Sequence, residues 1–172
     1  MKKMLALALA AVMSLSVLSG CASKPAAPAE KTPEELTQIY AEAITANGGE
    51  MVEYNPVISE AKEEDGSAFL LEMLGLNPAD MTAFGISTSM MNVKAYGIAA
   101  IKPAEGKEET VKAALQAFID LQKMNFEFYL VDQYEVAESA KLETLEDGTV
   151  LMVMAEGSDA IYEAISSAIL NG

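Results

Sequence analysis

Apolar residues first recur at helical spacing after residue 32. Leu36, Tyr40, Ala43, Ile44 and Ala46 form one stripe with Ile39 beside it, the period of an amphipathic helix. Thr32-Pro33-Glu34-Glu35 opens it: threonine is a good N-cap, proline suits the first turn, and Glu35 completes a capping box. Gly48-Gly49 ends it. Residues 50–60 show no clear period and read as extended or irregular. Lys62 to Gly66 is a charged turn, and Ser67 to Leu76 a short apolar helix ending near Gly75. Asn77-Pro78-Ala79-Asp80 reads as the cap of another helical turn, up to Phe84-Gly85.

The period then changes to two. Ile86, Thr88 and Met90 alternate with Ser87 and Ser89, and Tyr96, Ile98 and Ala100 alternate with Ala95, Gly97 and Ala99. Ile86–Asn92 and Lys94–Lys102 are therefore expected as strands of a hairpin turning at Asn92-Val93. Pro103 to Gly106 stops the second strand. Lys107 to Met124 is the longest helix, with Val111, Ala114, Leu115, Phe118 and Ile119 on its buried side. Asn125 to Ala140 fits two readings: Phe126, Phe128 and Leu130 alternate, whereas Tyr134 and Ala137 suit a short helix. Leu142–Leu145 and Thr149–Ala155 flank Glu146-Asp147-Gly148, and Asp-Gly between apolar runs marks a second hairpin. Ser158 begins a last helix carrying Ile161, Ala164, Ile165, Ala168 and Ile169. The order hairpin–helix occurs twice. It predicts an α+β fold, with an antiparallel sheet of about four strands and helices packed on one face.

The start of the chain follows another pattern. Met1-Lys2-Lys3 is followed by residues 4–18, apolar apart from Ser14 and Ser16. That run falls short of the roughly 20 residues needed to span a bilayer, and a charged start with a short apolar run marks a secretory signal. Leu18-Ser19-Gly20-Cys21 resembles the bacterial lipoprotein signal. The resemblance implies a diacylglyceryl group on the Cys21 thiol and cleavage in front of it. Residues 1–20 are then a signal peptide, residues 21–32 a lipidated Cys with a Pro-containing tether, and residues 33–172 one extracytoplasmic domain. The expected address is the outer face of the cell membrane, with the membrane engaged through lipid on Cys21.

Composition narrows the chemistry. The chain of 172 residues has 26 acids against 11 cations, all Lys, and no His, Arg or Trp. Histidine-based nucleophilic catalysis and His-ligated zinc are excluded. Loss of Lys2 and Lys3 with the signal takes the net charge from −15 to −17. Such a surface repels nucleic acid, so no nucleic-acid partner is expected. The sole Cys cannot form an internal disulfide.

Several short patterns bear on chemistry. Asp65-Gly66 and Glu72 match the second half of an EF-hand loop, but Ala61 stands where the first Asp is required. Ser59-Glu60-Ala61-Lys62 has the Ser-x-x-Lys spacing of penicillin-recognising enzymes without the partner motifs. Met90-Met91, with Met152 and Met154, has copper(I)-type ligands, yet methionine more often fills a core, and that reading is preferred. No carboxylate pair is singled out among the acids. No cofactor and no metal site is expected. Tyr129 and Tyr134 are the candidate partner surface, since aromatics are enriched at interfaces, although packing between hairpin and helix explains them more simply.

Phe126-Glu127-Phe128-Tyr129-Leu130-Val131-Asp132-Gln133-Tyr134, the segment Ala137 to Ala140, and the strand entering Asp147-Gly148-Thr149-Val150-Leu151 are similar to the family called domain of unknown function 4358. Met90-Met91-Asn92-Val93-Lys94, leading into a strand, resembles it too. The resemblance covers roughly residues 66–170 and departs at Thr149, where the family often has an aromatic. It implies a lipoprotein and an extracytoplasmic domain, but no activity and no functional residues. The expected role is a non-enzymatic binding or interaction module of the cell envelope, with an envelope protein or small ligand as partner. The alternatives are a carboxylate-based hydrolase and a divalent-cation-handling domain.

Overall fold

Thr32 caps the first helix as its sequence requires. Its hydroxyl accepts from the Glu35 N–H at 3.2 Å, and the Glu35 carboxylate accepts from the Thr32 N–H at 2.7 Å. In the computed structural model, which describes residues 31–172 except 65 and 92, helix α1 runs Pro33–Asn47. The other helices are α2 (Met51–Tyr54), α3 (Ser67–Met73), α4 (Glu108–Phe126), α5 (Val131–Glu138) and α6 (Ser158–Asn171). The strands are β1 (Met81–Thr88), β2 (Gly97–Pro103), β3 (Lys141–Thr144) and β4 (Val150–Met154). Lys31–Gly172 is a single unit by its internal contacts. Cys21 and the signal segment lie outside the described residues.

The two hairpins join into one antiparallel sheet of order β1-β2-β4-β3. The fold is α+β, as expected, but the helices do not share one face. Alternate strand residues feed two separate cores. Ala99, Ile101, Val150 and Met152 pack with Leu71 of α3, Leu115 and Phe118 of α4 and Ala137 of α5. Ile98, Ala100, Leu151 and Val153 pack with Tyr40 and Ile44 of α1 and Ile165 and Ile169 of α6. The register agrees: Ala99 lies opposite Met152, and Ala100 opposite Leu151.

Cover on both faces has a cue in the sequence. All five residues of β4 are buried, and the first five of β2 as well. A continuous apolar run such as Val-Leu-Met-Val-Met belongs to a strand covered on both sides. The small residues of β2, Gly97, Ala99 and Ala100, are all buried and let helices approach. Gly85 acts similarly on β1: a Cβ there would stand 3.0 Å from the Cβ of Tyr40 and 3.1 Å from its carbonyl carbon.

Several boundaries differ from the sequence reading. The turn at Asn77 is one 3-10 turn, Pro78–Asp80, after which β1 begins at Met81. β1 therefore starts before Ile86 and ends at Thr88, and β2 starts at Gly97, not Lys94. Residues 50–60 contain the short helix α2, and Ile58 forms a single bridge to Ile86 at the outer edge of β1. Asn125–Ala140 is helical: α4 runs on to Phe126 and α5 follows after a turn. Phe126 is fully buried while Phe128 is 91% exposed, so their alternation does not describe a strand.

Candidate functional site

The link between β1 and β2, residues 89–96, carries apolar side chains that the core does not take. Met90, Met91 and Val93 are exposed. The backbone around them is fixed by polar groups beneath. The Ser87 hydroxyl donates to the Asn55 carbonyl at 2.6 Å and shares a 2.9 Å hydrogen bond with the Tyr96 hydroxyl. Thr88 donates to the Tyr96 carbonyl at 3.0 Å. From the helix side, the Gln133 carbonyl oxygen accepts from the Ala95 N–H at 3.0 Å. Burial pushes the Tyr96 phenol above its usual pKa, against the lowering effect of its Ser87 hydrogen bond. The Gln133 side-chain hydrogen bond holds the exposed Asp132 carboxyl below its usual range.

These ties place three segments around one groove of about 850 Å3. α2 and its exit contribute Met51, Tyr54 and Pro56; α3 contributes Phe69 and Leu70; the hairpin contributes Met90 and Met91. The base is buried (Leu70, Thr88), while Tyr54 is 78%, Phe69 58% and Met91 70% exposed. The Ser67 hydroxyl closes the turn at the head of α3, accepting from the Lys62 N–H at 2.7 Å. Ligand sites usually occupy about 300–1,000 Å3 and are mostly apolar, and this groove fits both. Its thioethers and aromatic rings offer adaptable apolar contact.

Met51, Tyr54 and Lys94 also border a more polar pocket of about 380 Å3. Glu50, Tyr96, Gln133 and Glu156 line it. The Lys94 ammonium meets the Glu156 carboxylate at 3.2 Å, and Glu156 remains 73% exposed. Glu50 and Glu156 are two carboxylates on one concavity. A glycosidase acid keeps its proton through an apolar, water-poor setting, which an exposed carboxylate paired with lysine lacks.

The sequence candidates fall in different places. Tyr129, in the turn after α4, is 76% exposed beside Phe128 and Val131 in sequence. Tyr134, on α5, is half-buried and packs against the core on the α4 side of the sheet. Met152 and Met154 are core residues as read, but Met90 and Met91 are not. They belong to the groove, because their turn lies beyond the end of the sheet. The calcium-loop pattern lacks its first Asp at Ala61, and α3 already begins at Ser67, the seventh of the twelve positions, where that loop has not yet turned helical. Lys62 pairs with Glu60 at 2.6 Å. Among the described residues, no group of three or more His, Cys, Asp or Glu is arranged to hold a metal ion, and no helix is long and apolar enough to cross a membrane.

Tyr54, Phe69 and Met51 were missed in the sequence. Their signal is apolar residues without a period, close to turns. The family described as Domain of unknown function (DUF4358) matches residues 57–155, more than half of the chain. No curated protein and no solved structure matches it.

Proposed function

The chain belongs to the DUF4358 family, and from that premise we propose that it is a lipoprotein, lipid-anchored at the extracytoplasmic face of the cell membrane, acting as a binding module. The observation that supports this reading is the groove at the β1–β2 end. Large apolar side chains that could have been buried stand exposed around one concavity, and such patches mark interaction sites. Cys21 carries the lipid, and residues 22–32 lift the domain from the surface. Tyr129 adds a second exposed contact; Tyr134 serves packing.

Two measurements test the two halves of the reading. Cys21→Ala should release the protein from the membrane fraction, since acyl chains contribute about 0.8 kcal/mol per buried methylene. A variant that partitions like the parent rejects the anchor. A thermal-shift screen of residues 22–172 with peptides, wall fragments, sugars and divalent cations should find a ligand that raises the melting temperature, because binding the folded state stabilises it. Phe69→Ser should weaken that response. A carboxylate-based hydrolase is the second reading, with Glu50 and Glu156, which line one concavity, as its candidate acids. Turnover of a stabilising ligand, lost in Glu50→Gln, would put it first.

A further inference from the structure

Among the described residues, one charged side chain lines the groove at the β1–β2 end, and it is a lysine, Lys94. In a chain with 26 acids against 11 cations, that sign runs against the rest of the surface. The neutral polar side chains Asn55, Thr88 and Ser89 are already engaged by backbone. Asn55 donates to the Met51 carbonyl at 2.8 Å, Thr88 to the Tyr96 carbonyl at 3.0 Å, and Ser89 to the Met91 carbonyl at 3.3 Å. An ammonium carries three donors, and the ion pair of Lys94 is with Glu156 at 3.2 Å. Both side chains of that pair are exposed, so the pair is weak and exchangeable. Glu156 and Glu50 line the neighbouring pocket and not the groove. Asp132 lies within Coulombic reach of Lys94, again outside the groove lining. A ligand in the groove therefore meets apolar walls and one ammonium.

We propose that the groove binds a free single-chain amphiphile with a carboxylate head, of the fatty-acid class. Its chain lies among Met51, Phe69, Met90 and Met91, and its head takes the Lys94 ammonium in place of Glu156. Lys94 lines both concavities, so the Glu156 carboxylate and a ligand carboxylate compete for the same donor. A charge-assisted hydrogen bond to a carboxylate is among the stronger polar contacts. The size agrees, since about 850 Å3 falls in the range of small-molecule sites. Unbranched thioethers adapt their shape to a flexible chain. The net charge of −15 opposes any anion at long range. At about 0.15 M salt that repulsion is screened over roughly 8 Å, whereas a head on Lys94 is in direct contact. A bilayer surface presents many anionic heads, and a second copy brings a further −15. Both meet the repulsion over a far larger area than one small carboxylate does.

This inference rests on the groove-binding reading, and the test separates the two. Residues 22–172, which contain both cores, are loaded with Nile red. The dye is then displaced with decanoate, decylammonium or decanol at concentrations that form no micelles. Decanoate should act at a concentration roughly fivefold or more below that of either analogue. Lys94→Gln should weaken decanoate several-fold and leave decanol unchanged. Glu156→Gln should tighten decanoate several-fold, because it frees the ammonium. Phe69→Ser with Met91→Ser, both at exposed positions, should weaken all three about tenfold at an unchanged melting temperature. Equal displacement by decanol, or a preference for decylammonium, overturns the carboxylate assignment while the groove-binding reading stands. Unchanged or weaker decanoate binding in Glu156→Gln overturns it too, since Lys94 would then not be the group that holds the head. Flotation with phosphatidylglycerol vesicles, or a dimer in sedimentation, that Phe69→Ser with Met91→Ser abolishes would assign the groove to a bilayer or a second copy and overturn the proposal. If the dye does not bind, or binds the Phe69→Ser, Met91→Ser protein equally well, both readings fall.

Discussion

Tyr40 joins three elements through one hydroxyl. It is fully buried on α1, and its oxygen lies 2.7 Å from Thr149 Oγ1, just before β4. Thr149 in turn donates to Asp147 at 2.9 Å, and Lys102 of β2 donates to the Asp147 carbonyl. Burial pushes the phenol pKa up to about 12 from 10.0, with the Thr149 hydrogen bond acting in the opposite direction. The folded chain thus holds this proton more tightly than the unfolded chain. The stability linked to it is complete below pH 10 and is lost as pH rises from 10 towards about 12. A shift of that size corresponds to roughly 2–3 kcal/mol. Tyr40→Phe should cost about 1 kcal/mol near neutrality by urea denaturation. The variant should also show a shallower loss of stability from pH 10 to 12 than the parent. Parallel pH profiles would mean that other tyrosines govern the alkaline transition.

Among the elements, α5 was the least legible and is the one that positions the groove's polar neighbour. Its stripe is short, and only Gln133 and Ala137 are buried. A buried glutamine does not announce itself in a period count. Its role appears only when the Ala95 N–H, many residues away, is found to need an acceptor. Gln133→Leu would leave that buried N–H unpaired, at a cost of about 1–3 kcal/mol. Amide exchange at Ala95 should then accelerate more than exchange in β4. Gln133→Glu, which keeps an acceptor, should restore much of the protection. Equal acceleration across the sheet would instead indicate general loosening. By contrast, α1 and α4 were plain in the sequence. A capping box and a long apolar stripe are local signals, and local signals survive without tertiary context. The β3–β4 turn was equally plain, because Gly148 takes φ +81 at the Asp-Gly corner, a conformation that glycine adopts without steric cost.

For the molecule as a whole, charge and layering are the governing quantities. Four ion pairs are present among the described residues, three of them on exposed side chains and the fourth joining exposed Lys107 to half-buried Asp80, and exposed pairs contribute little. Self-repulsion of a chain with net charge −15 should outweigh them. Raising salt from about 0.01 to 0.15 M shortens the screening length from roughly 30 to 8 Å, and the melting temperature should rise by scanning calorimetry. A fall would show that the pairs dominate. The family match, residues 57–155, ends before α6 and begins after α1. Those two helices cover the Ile98, Ala100, Leu151 and Val153 face, so the domain needs residues on both sides of the matched segment. The sequence alone settled the α+β class, the two hairpins, the main helices and the family, because periodicity, caps and turn residues act over a few positions. Only the tertiary structure decided that helices cover both faces and that Met90 and Met91 face a groove. Burial of a small or apolar residue depends on what the rest of the chain lays over it.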